Sequence, residues 1–165
     1  MYVIQPEQLR PLQIIHFALA AGVFVFLVVT MLLPGSPVLL RPGVEDVLTI
    51  LSMVHVIAFI SAFAIGLFMY ESQLRRDRLQ SMGQGLSEQA ARDQVLGLLR
   101  RVTIVRLALL EGAAFFGLAV VLIAKMTGVA NEAPVYWLNA LSAVIFIGFV
   151  MFTFPTRDKI NDLLR

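Results

Sequence analysis

Three ionisable side chains lie within apolar stretches of the sequence, and they are the residues best suited to chemistry. Glu111 stands inside the run 107–124, which is otherwise apolar. His16 and His55 lie in two other apolar runs. A carboxylate in hydrocarbon is costly, so it is normally retained for a partner, a proton or an ion. Glu111, His16 and His55 are therefore the candidate ion- or proton-binding residues.

The sequence leaves more than one role open for these residues. Removal from water disfavours the charged form of a carboxyl, so Glu111 can be a neutral, hydrogen-bonded structural group. It can equally exchange a proton, bind a cation, or pair with a charge at a protein–protein interface. For His16 and His55 the simplest role is to join helices by hydrogen bonds. Arg106, five residues before Glu111, does not face it on a helix and is expected to extend to the lipid headgroups.

The composition is typical of a membrane protein. Of the 165 residues 59% are hydrophobic and 15% are charged, and the mean hydropathy is +0.84. A soluble domain has roughly a quarter of its residues charged. There is no cysteine, which excludes disulfides, thiolate metal sites and iron–sulfur clusters from this chain. The net charge of +2 does not suggest a nucleic-acid partner.

Four apolar runs reach the roughly 20 residues that a transmembrane helix needs. They cover about 12–33, 47–70, 102–124 and 135–154. We therefore predict an all-α fold, an integral-membrane bundle of four transmembrane helices that forms a single domain over residues 1–165. The lipid bilayer is its expected surroundings.

Basic residues predict the orientation of this bundle. Arg41 and Lys125 are the two basic residues on one side of the spans, whereas the other eleven of the 13 lie on the opposite side. Under the positive-inside rule, this asymmetry places both termini in the cytoplasm.

A cytoplasmic helical hairpin is expected between the second and third spans, over about 71–101. Glu71 and Arg75 are spaced by four residues, which favours a helical first arm. The break falls at 83–85, and Ser87 with Glu88 is typical of a helix start. The hairpin is either a solvated connector or a docking arm for a partner subunit.

The sequence has no HExxH, GxSxG, P-loop or glycine-rich nucleotide turn, so we do not expect an enzyme. At about 1.5 Å of rise per residue, His16 and His55 differ in depth by about 15 Å, too far for a shared haem. Glu111 and His16 differ by only about 5 Å, and Glu111 and His55 by about 10 Å. We expect neither a cofactor nor a metal.

The segment Ile104–Ile123 resembles the carboxylate-bearing helix of rotary ATP synthase proteolipid (c) subunits. Those helices follow a basic cytoplasmic loop and carry one acid in mid-membrane among Ala, Leu, Gly and Phe. The resemblance implies that Glu111 binds a proton or sodium ion. The sequence departs from proteolipids in its second span, which has Gly66 as its only glycine, and in its long loop.

The whole chain also resembles small four-span bacterial inner-membrane proteins of uncharacterised activity. Some of these carry a similar Arg-Leu-Ala-Leu-Leu-Glu-Gly run and a Pro-Thr-Arg/Lys tail. Two functions follow as expectations. One is an accessory or scaffold subunit that packs against other membrane subunits or against itself. The alternative is a proton- or cation-handling protein in which Glu111 titrates and His16 or His55 tunes it.

Overall fold

A computed structural model describes residues 6–35, 43–75, 85 and 87–159. No strand occurs in these residues, which confirms the all-α prediction for this part of the chain. The elements are α1 (Pro6–Leu32), α2 (Val44–Gln73), α3 (Glu88–Met126), the single turn α4 (Val129–Glu132), a 3-10 helix (Pro134–Ala140) and α5 (Leu141–Phe152).

Four helical stretches of the described residues are long and apolar enough to cross a membrane. They cover the same parts of the chain as the four apolar runs of the sequence. The last one, here called the fourth long helix, consists of the 3-10 helix followed directly by α5. The stretches are Leu9–Leu32, Val44–Gln73, Gln89–Met126 and Pro134–Phe152.

Helix α3 forms the centre of the packing. Half of its apolar window is buried, against 17–39% for the other three stretches. Small residues on α3, such as Ala113 and Ala114, allow neighbouring helices to approach closely. The main core joins α3 to α1, α2 and α5 through Val23, Leu27, Ala62, Leu107, Leu110, Leu118, Val121, Ala143, Phe146 and Val150.

Two close contacts fix the register between α2 and α3, which run antiparallel. A Cβ added to Gly66 of α2 would lie 3.0 Å from Cγ of Arg106. A Cβ added to Gly117 of α3 would lie 2.6 Å from Nε2 of His55. The two contacts are eleven residues apart on both helices, so the register between the helices is the same at both.

At one end of the bundle, Lys125 joins α3 to the end of α1. Its ammonium group donates to the carbonyl oxygens of Thr30 at 2.9 Å and Met31 at 2.7 Å. A cation suits this position, because the last carbonyl groups of a helix lack partners and carry partial negative charge. The same ammonium lies 5.7 Å from the ring centre of Trp137, at the start of the fourth long helix. We call this the Lys125 end.

At the opposite end, called the Arg106 end, a second apolar cluster extends α3 beyond its apolar window. Leu9 and Leu12 of α1 pack with Leu74 and with Leu99 of α3. The N-terminal part of α3 is therefore held against α1 and the end of α2.

The segment between α2 and α3 differs in part from the expected hairpin. Helix α2 ends at Gln73, and Arg75 lies beyond it, so the expected helical spacing of Glu71 and Arg75 is wrong. The amide of Leu74 closes the helix by donating to the Tyr70 carbonyl, and the chain then leaves the helical path. Residues 76–84 and 86 of the predicted hairpin lie outside the described residues, whereas 88–101 form the N-terminal part of α3.

The predicted start of α3 is confirmed. Ser87 has extended backbone angles, and its hydroxyl oxygen accepts a hydrogen bond from the amide of Ala90 at 3.3 Å. This is the usual N-cap interaction, which satisfies one of the free amides at a helix start. Gly85, shortly before it, has a φ of +79°, a backbone angle that glycine adopts without strain.

The packing around α3 predicts very different effects for two identical substitutions in α5. Phe146→Ala removes a ring that is 1% exposed and should lower the free energy of unfolding by about 3–5 kcal/mol. Phe152→Ala removes a ring that is 81% exposed and should change it little. Thermal unfolding of the two variants in the same detergent tests this. Equal losses in Tm would contradict the assigned core.

Candidate functional site

The three residues singled out in the sequence lie in three separate surroundings. His16 and His55 are buried, whereas Glu111 is only partly buried. Among the described residues, no hydrogen bond joins Glu111 to either histidine. Their similar depth does not bring His16 and Glu111 together, because His16 contacts Phe154 while the Glu111 carboxyl faces Gly22 of α1.

His55 is the centre of a hydrogen-bonded network between α2 and the fourth long helix. Its Nδ1 lies 2.8 Å from Oδ1 of Asn139, and its Nε2 lies 3.1 Å from Oγ of Ser142. The amide nitrogen of Asn139 donates to Oγ of Ser52 and to the carbonyl oxygen of Tyr136, both at 3.0 Å. His55, Asn139 and Ser142 are all buried, so these bonds satisfy polar groups that water does not reach.

A second set of bonds continues the network toward the start of α2. The hydroxyl of Tyr136 donates to the carbonyl oxygen of Glu45 at 3.2 Å. Since this donation uses its one proton, the hydroxyl of Thr49 must donate to Tyr136, at 3.0 Å. A groove of ≈ 590 Å³ runs beside these groups between the two helices, with Thr49, Ser52 and Tyr136 among otherwise mostly apolar walls.

The proton positions in the network follow from the partners. The Tyr136 carbonyl can only accept, so the nitrogen of the Asn139 amide must face it and the amide oxygen must face His55. Nδ1 of His55 therefore carries a proton. The single proton of the Ser142 hydroxyl has two acceptors within reach, the Asn139 carbonyl oxygen at 2.9 Å and Nε2 of His55 at 3.1 Å.

The polar partners of His55 were missed from the sequence, although their spacing contained a signal. Thr49, Ser52 and His55 are three residues apart on α2. Tyr136, Asn139 and Ser142 repeat that spacing on the fourth long helix. In a 3-10 helix, side chains three residues apart lie directly above one another, so Tyr136 and Asn139 share one face. Because polar residues recur every three positions on both helices, the sequence predicts that these residues meet at one interface between α2 and the fourth long helix.

His16 makes a local hydrogen bond and lines a partly open cavity. Its Nδ1 is 2.8 Å from the carbonyl oxygen of Leu12, four residues earlier in α1, so Nδ1 is the donor. Its ring meets Phe154 edge to face at 6.0 Å. The same cavity is lined by Arg106, whose guanidinium carbon lies 4.8 Å from the ring centre of Tyr70.

Glu111 occupies the boundary between α1 and α3. A Cβ added to Gly22 would lie 3.9 Å from Oε1 of Glu111, and Gly22 itself is exposed. Ala108 and Gly112, on the neighbouring surface of α3, are exposed as well, and nothing lies within 4 Å of a Cβ added to Gly112. Within the described part of the chain, the Glu111 carboxyl has no hydrogen bond and no ion pair. It therefore lies at the surface of the bundle, at a level where α1 and α3 present small residues.

The described residues contain no group of three His, Asp or Glu side chains that could hold a metal ion. In the described part of the chain, the three residues predicted from the sequence thus lie in three places: the His55 network, the cavity beside His16, and the Glu111 surface.

The close approach at Gly117 predicts that the His55 network tolerates no side chain there. A Cβ at Gly117 would collide with the Asn139 carbonyl oxygen and lie 2.6 Å from both His55 Nε2 and Ser142 Oγ. Gly117→Ala should therefore lower the free energy of unfolding by about 1–3 kcal/mol through overpacking.

Gly97→Ala is the matched control, since it lies on the same helix and a Cβ there meets nothing within 4 Å. It should raise stability by up to about 1 kcal/mol, because alanine favours helix more than glycine does. Thermal unfolding of both variants measures the difference. A Gly117→Ala protein as stable as Gly97→Ala would contradict the packing.

Comparison with known proteins adds no relative. No protein-family model matches the chain, and no curated protein or solved structure shows significant similarity to it.

Proposed function

We propose that this protein is an integral protein of the bacterial inner membrane that serves as an accessory or scaffold subunit of a membrane complex. Its Glu111 surface takes a transmembrane helix of another subunit. Both termini and the segment between α2 and α3 face the cytoplasm. The Arg106 end is then the cytoplasmic end, and the Lys125 end faces outward.

The outward faces of the helices support membrane insertion. Phe17 is 72% exposed, Phe68 72% and Met151 73%, and such side chains are stable at a surface only when something apolar covers it. The four long apolar stretches supply that surface at the length a bilayer requires. The concentration of eleven of 13 basic residues on one side supports the orientation.

The proposal of a partner helix rests on Glu111. Its carboxyl lies on an apolar surface, partly buried, and lacks a hydrogen-bond partner among the described residues. In hydrocarbon such a group requires a donor. A partner helix that carries a hydroxyl, amide or basic side chain supplies one, and this complementarity is the reason to prefer a different subunit over a second copy.

The surroundings of Glu111 suit a helix as the occupant. Gly22 on α1 and Ala108 and Gly112 on α3 are exposed and small. Small side chains let a third backbone come close, which strengthens van der Waals packing where no hydrophobic effect drives association. The partner helix would therefore lie along the boundary between α1 and α3, with its donor at the level of Glu111.

A second candidate function is proton or cation handling by Glu111, as in proteolipid subunits. The surface position of the carboxyl favours it, because a group at the edge of the bundle is accessible to a proton donor on a moving neighbour. Neither histidine bonds to Glu111, so tuning by direct contact has no support.

The proposed orientation can be tested readily, because the chain has no cysteine of its own. In intact cells, Glu132→Cys should react with a membrane-impermeant maleimide. Glu7→Cys and Asp158→Cys should react only after permeabilisation. All three side chains are exposed, so burial does not limit labelling. Labelling of Glu7→Cys in intact cells would overturn the orientation.

Glu111 variants test the partner. A photo-crosslinking residue at Ala108 should capture a membrane protein in cells. The adduct should persist in Glu111→Gln, which keeps hydrogen bonding, and fall at least fivefold in Glu111→Leu, which does not. The same residue at Ile60 of α2, which is 62% exposed, is the control and should not capture that protein.

The outcomes separate the two candidates. An adduct unchanged by Glu111→Leu, or an adduct with a second copy, contradicts the proposed partner. Carbodiimide labelling that Glu111→Gln abolishes, together with loss of a proton-dependent phenotype that Glu111→Asp restores, favours proton handling instead.

A further inference from the structure

A partly open cavity of ≈ 220 Å³ lies at the Arg106 end of the bundle. Residues of α1, α2, α3, α5 and the segment that follows α5 line it. Among the described residues, its polar lining is His16, Tyr70, Thr103, Arg106, Thr153 and Lys159. Two of these side chains are cationic, and no Asp or Glu of the described residues lines the cavity.

Arg106 is held at this cavity by packing. Its guanidinium carbon lies 4.8 Å from the ring centre of Tyr70 and 4.4 Å from that of Phe149. Its stem passes Gly66 so closely that an added Cβ there would lie 3.0 Å from Cγ. Stacking between two rings fixes the plane of the guanidinium and leaves its N–H groups free to donate in that plane.

The charge of Arg106 is not neutralised within the described residues. Glu71 is near enough to interact with it electrostatically, but Glu71 is exposed, does not line the cavity and forms no ion pair with it. A half-buried guanidinium beside a partly open cavity, with no carboxylate of the described residues facing it, favours an anion in that cavity.

Further donors surround the same space from other directions. Lys159 reaches back to donate to the carbonyl oxygen of Phe152 at 2.6 Å, and two of its ammonium protons remain. The hydroxyls of Tyr70 and Thr103 make no hydrogen bond within the described residues. Nδ1 of His16 is used by Leu12, so Nε2 is the ring atom left for the cavity.

The arrangement selects among anions. A carboxylate is planar, and the paired N–H groups of a single guanidinium can bind both of its oxygens. The donors of this cavity instead come from α2, α3 and the segment after α5. Donors on several sides match a tetrahedral oxyanion, and a guanidinium binds two phosphate oxygens at once. We propose that this cavity binds a phosphate group, with Arg106 and Lys159 as its cationic ligands and Tyr70 and Thr103 as hydroxyl donors.

The position of the cavity is compatible with two sources of the phosphate, a lipid headgroup and free phosphate. In the proposed orientation, Arg106 lies about 10 Å on the cytoplasmic side of the middle of the third span, counted at 1.5 Å per residue. Half of a hydrocarbon core is about 15 Å, so Arg106 lies about 5 Å inside the inner edge of the core, close to the inner-leaflet headgroups. The chemistry is shared by a lipid phosphodiester and by free phosphate. It does not depend on the partner proposed for Glu111.

The experiment uses the full-length protein, delipidated in a neutral detergent. Thermal unfolding is followed while phosphatidylglycerol, diacylglycerol or inorganic phosphate is added at constant ionic strength. Phosphatidylglycerol or inorganic phosphate should raise Tm, whereas diacylglycerol, which has the same chains without the phosphate, should not. Stabilisation by phosphatidylglycerol alone identifies a lipid site, and comparable stabilisation by inorganic phosphate identifies a free-anion site.

Variants locate the effect at the cavity. Arg106→Gln should weaken binding at least tenfold, and Arg106→Lys should have an intermediate effect, because it keeps the charge but loses the fork. Arg101→Gln, an exposed residue of the same helix, is the matched control and should bind like the wild type.

Lys159→Gln provides a second test if Arg106→Gln does not fold, and it should weaken binding severalfold. Arg157→Gln, which is exposed two residues earlier, should not. Equal binding by Arg106→Gln and Arg101→Gln, equal binding by Lys159→Gln and Arg157→Gln, or no stabilisation of the wild type by either phosphate compound would overturn the proposal.

Discussion

The rest of the structure depends on the contact between the α3 backbone at Gly117 and the buried group formed by His55, Asn139 and Ser142. It brings α2, α3 and the fourth long helix to one point, at which α3 has no side chain of its own. Helices are stiff, so a register fixed at Gly117 also fixes the positions eleven residues away. The place of Arg106 against Gly66, and hence the direction of its guanidinium, follows from that contact.

The sequence predicted the helices well because their signal is local. Each apolar run has the length that a span needs, and Ser87 has the side chain that a helix start requires. The end of α2 was misjudged, since a charge spacing favours a helix without forcing it to continue. The central place of α3 could not be predicted. Lipid and protein interiors are both apolar, so a helix in either shows no polar face to distinguish inward from outward.

For the candidate site, counting residues gave expected depths but not the direction in which each side chain faces. Counting residues gave similar levels for His16 and Glu111, but the side on which each faces depends on which helices are neighbours. Ionisable residues drew attention because their cost in hydrocarbon is high. The uncharged partners Asn139 and Ser142 cost less and are common in helices, so only the matching triplet spacing could have indicated them. The sequence could not predict the contacts of Arg106, because the two aromatic rings beside its guanidinium come from two other helices.

The fixed orientation of the Asn139 amide has a consequence for the movement of protons along the bundle. Imidazole and hydroxyl groups can pass a proton on by gaining one and releasing another, but a carboxamide does not readily do so. Asn139 stands between His55 on one side and Ser52 with the Tyr136 carbonyl on the other. A proton that reaches His55 through Ser142 therefore has no relay onward through Asn139 toward Thr49. The network therefore does not conduct protons past Asn139, although its hydrogen bonds are continuous.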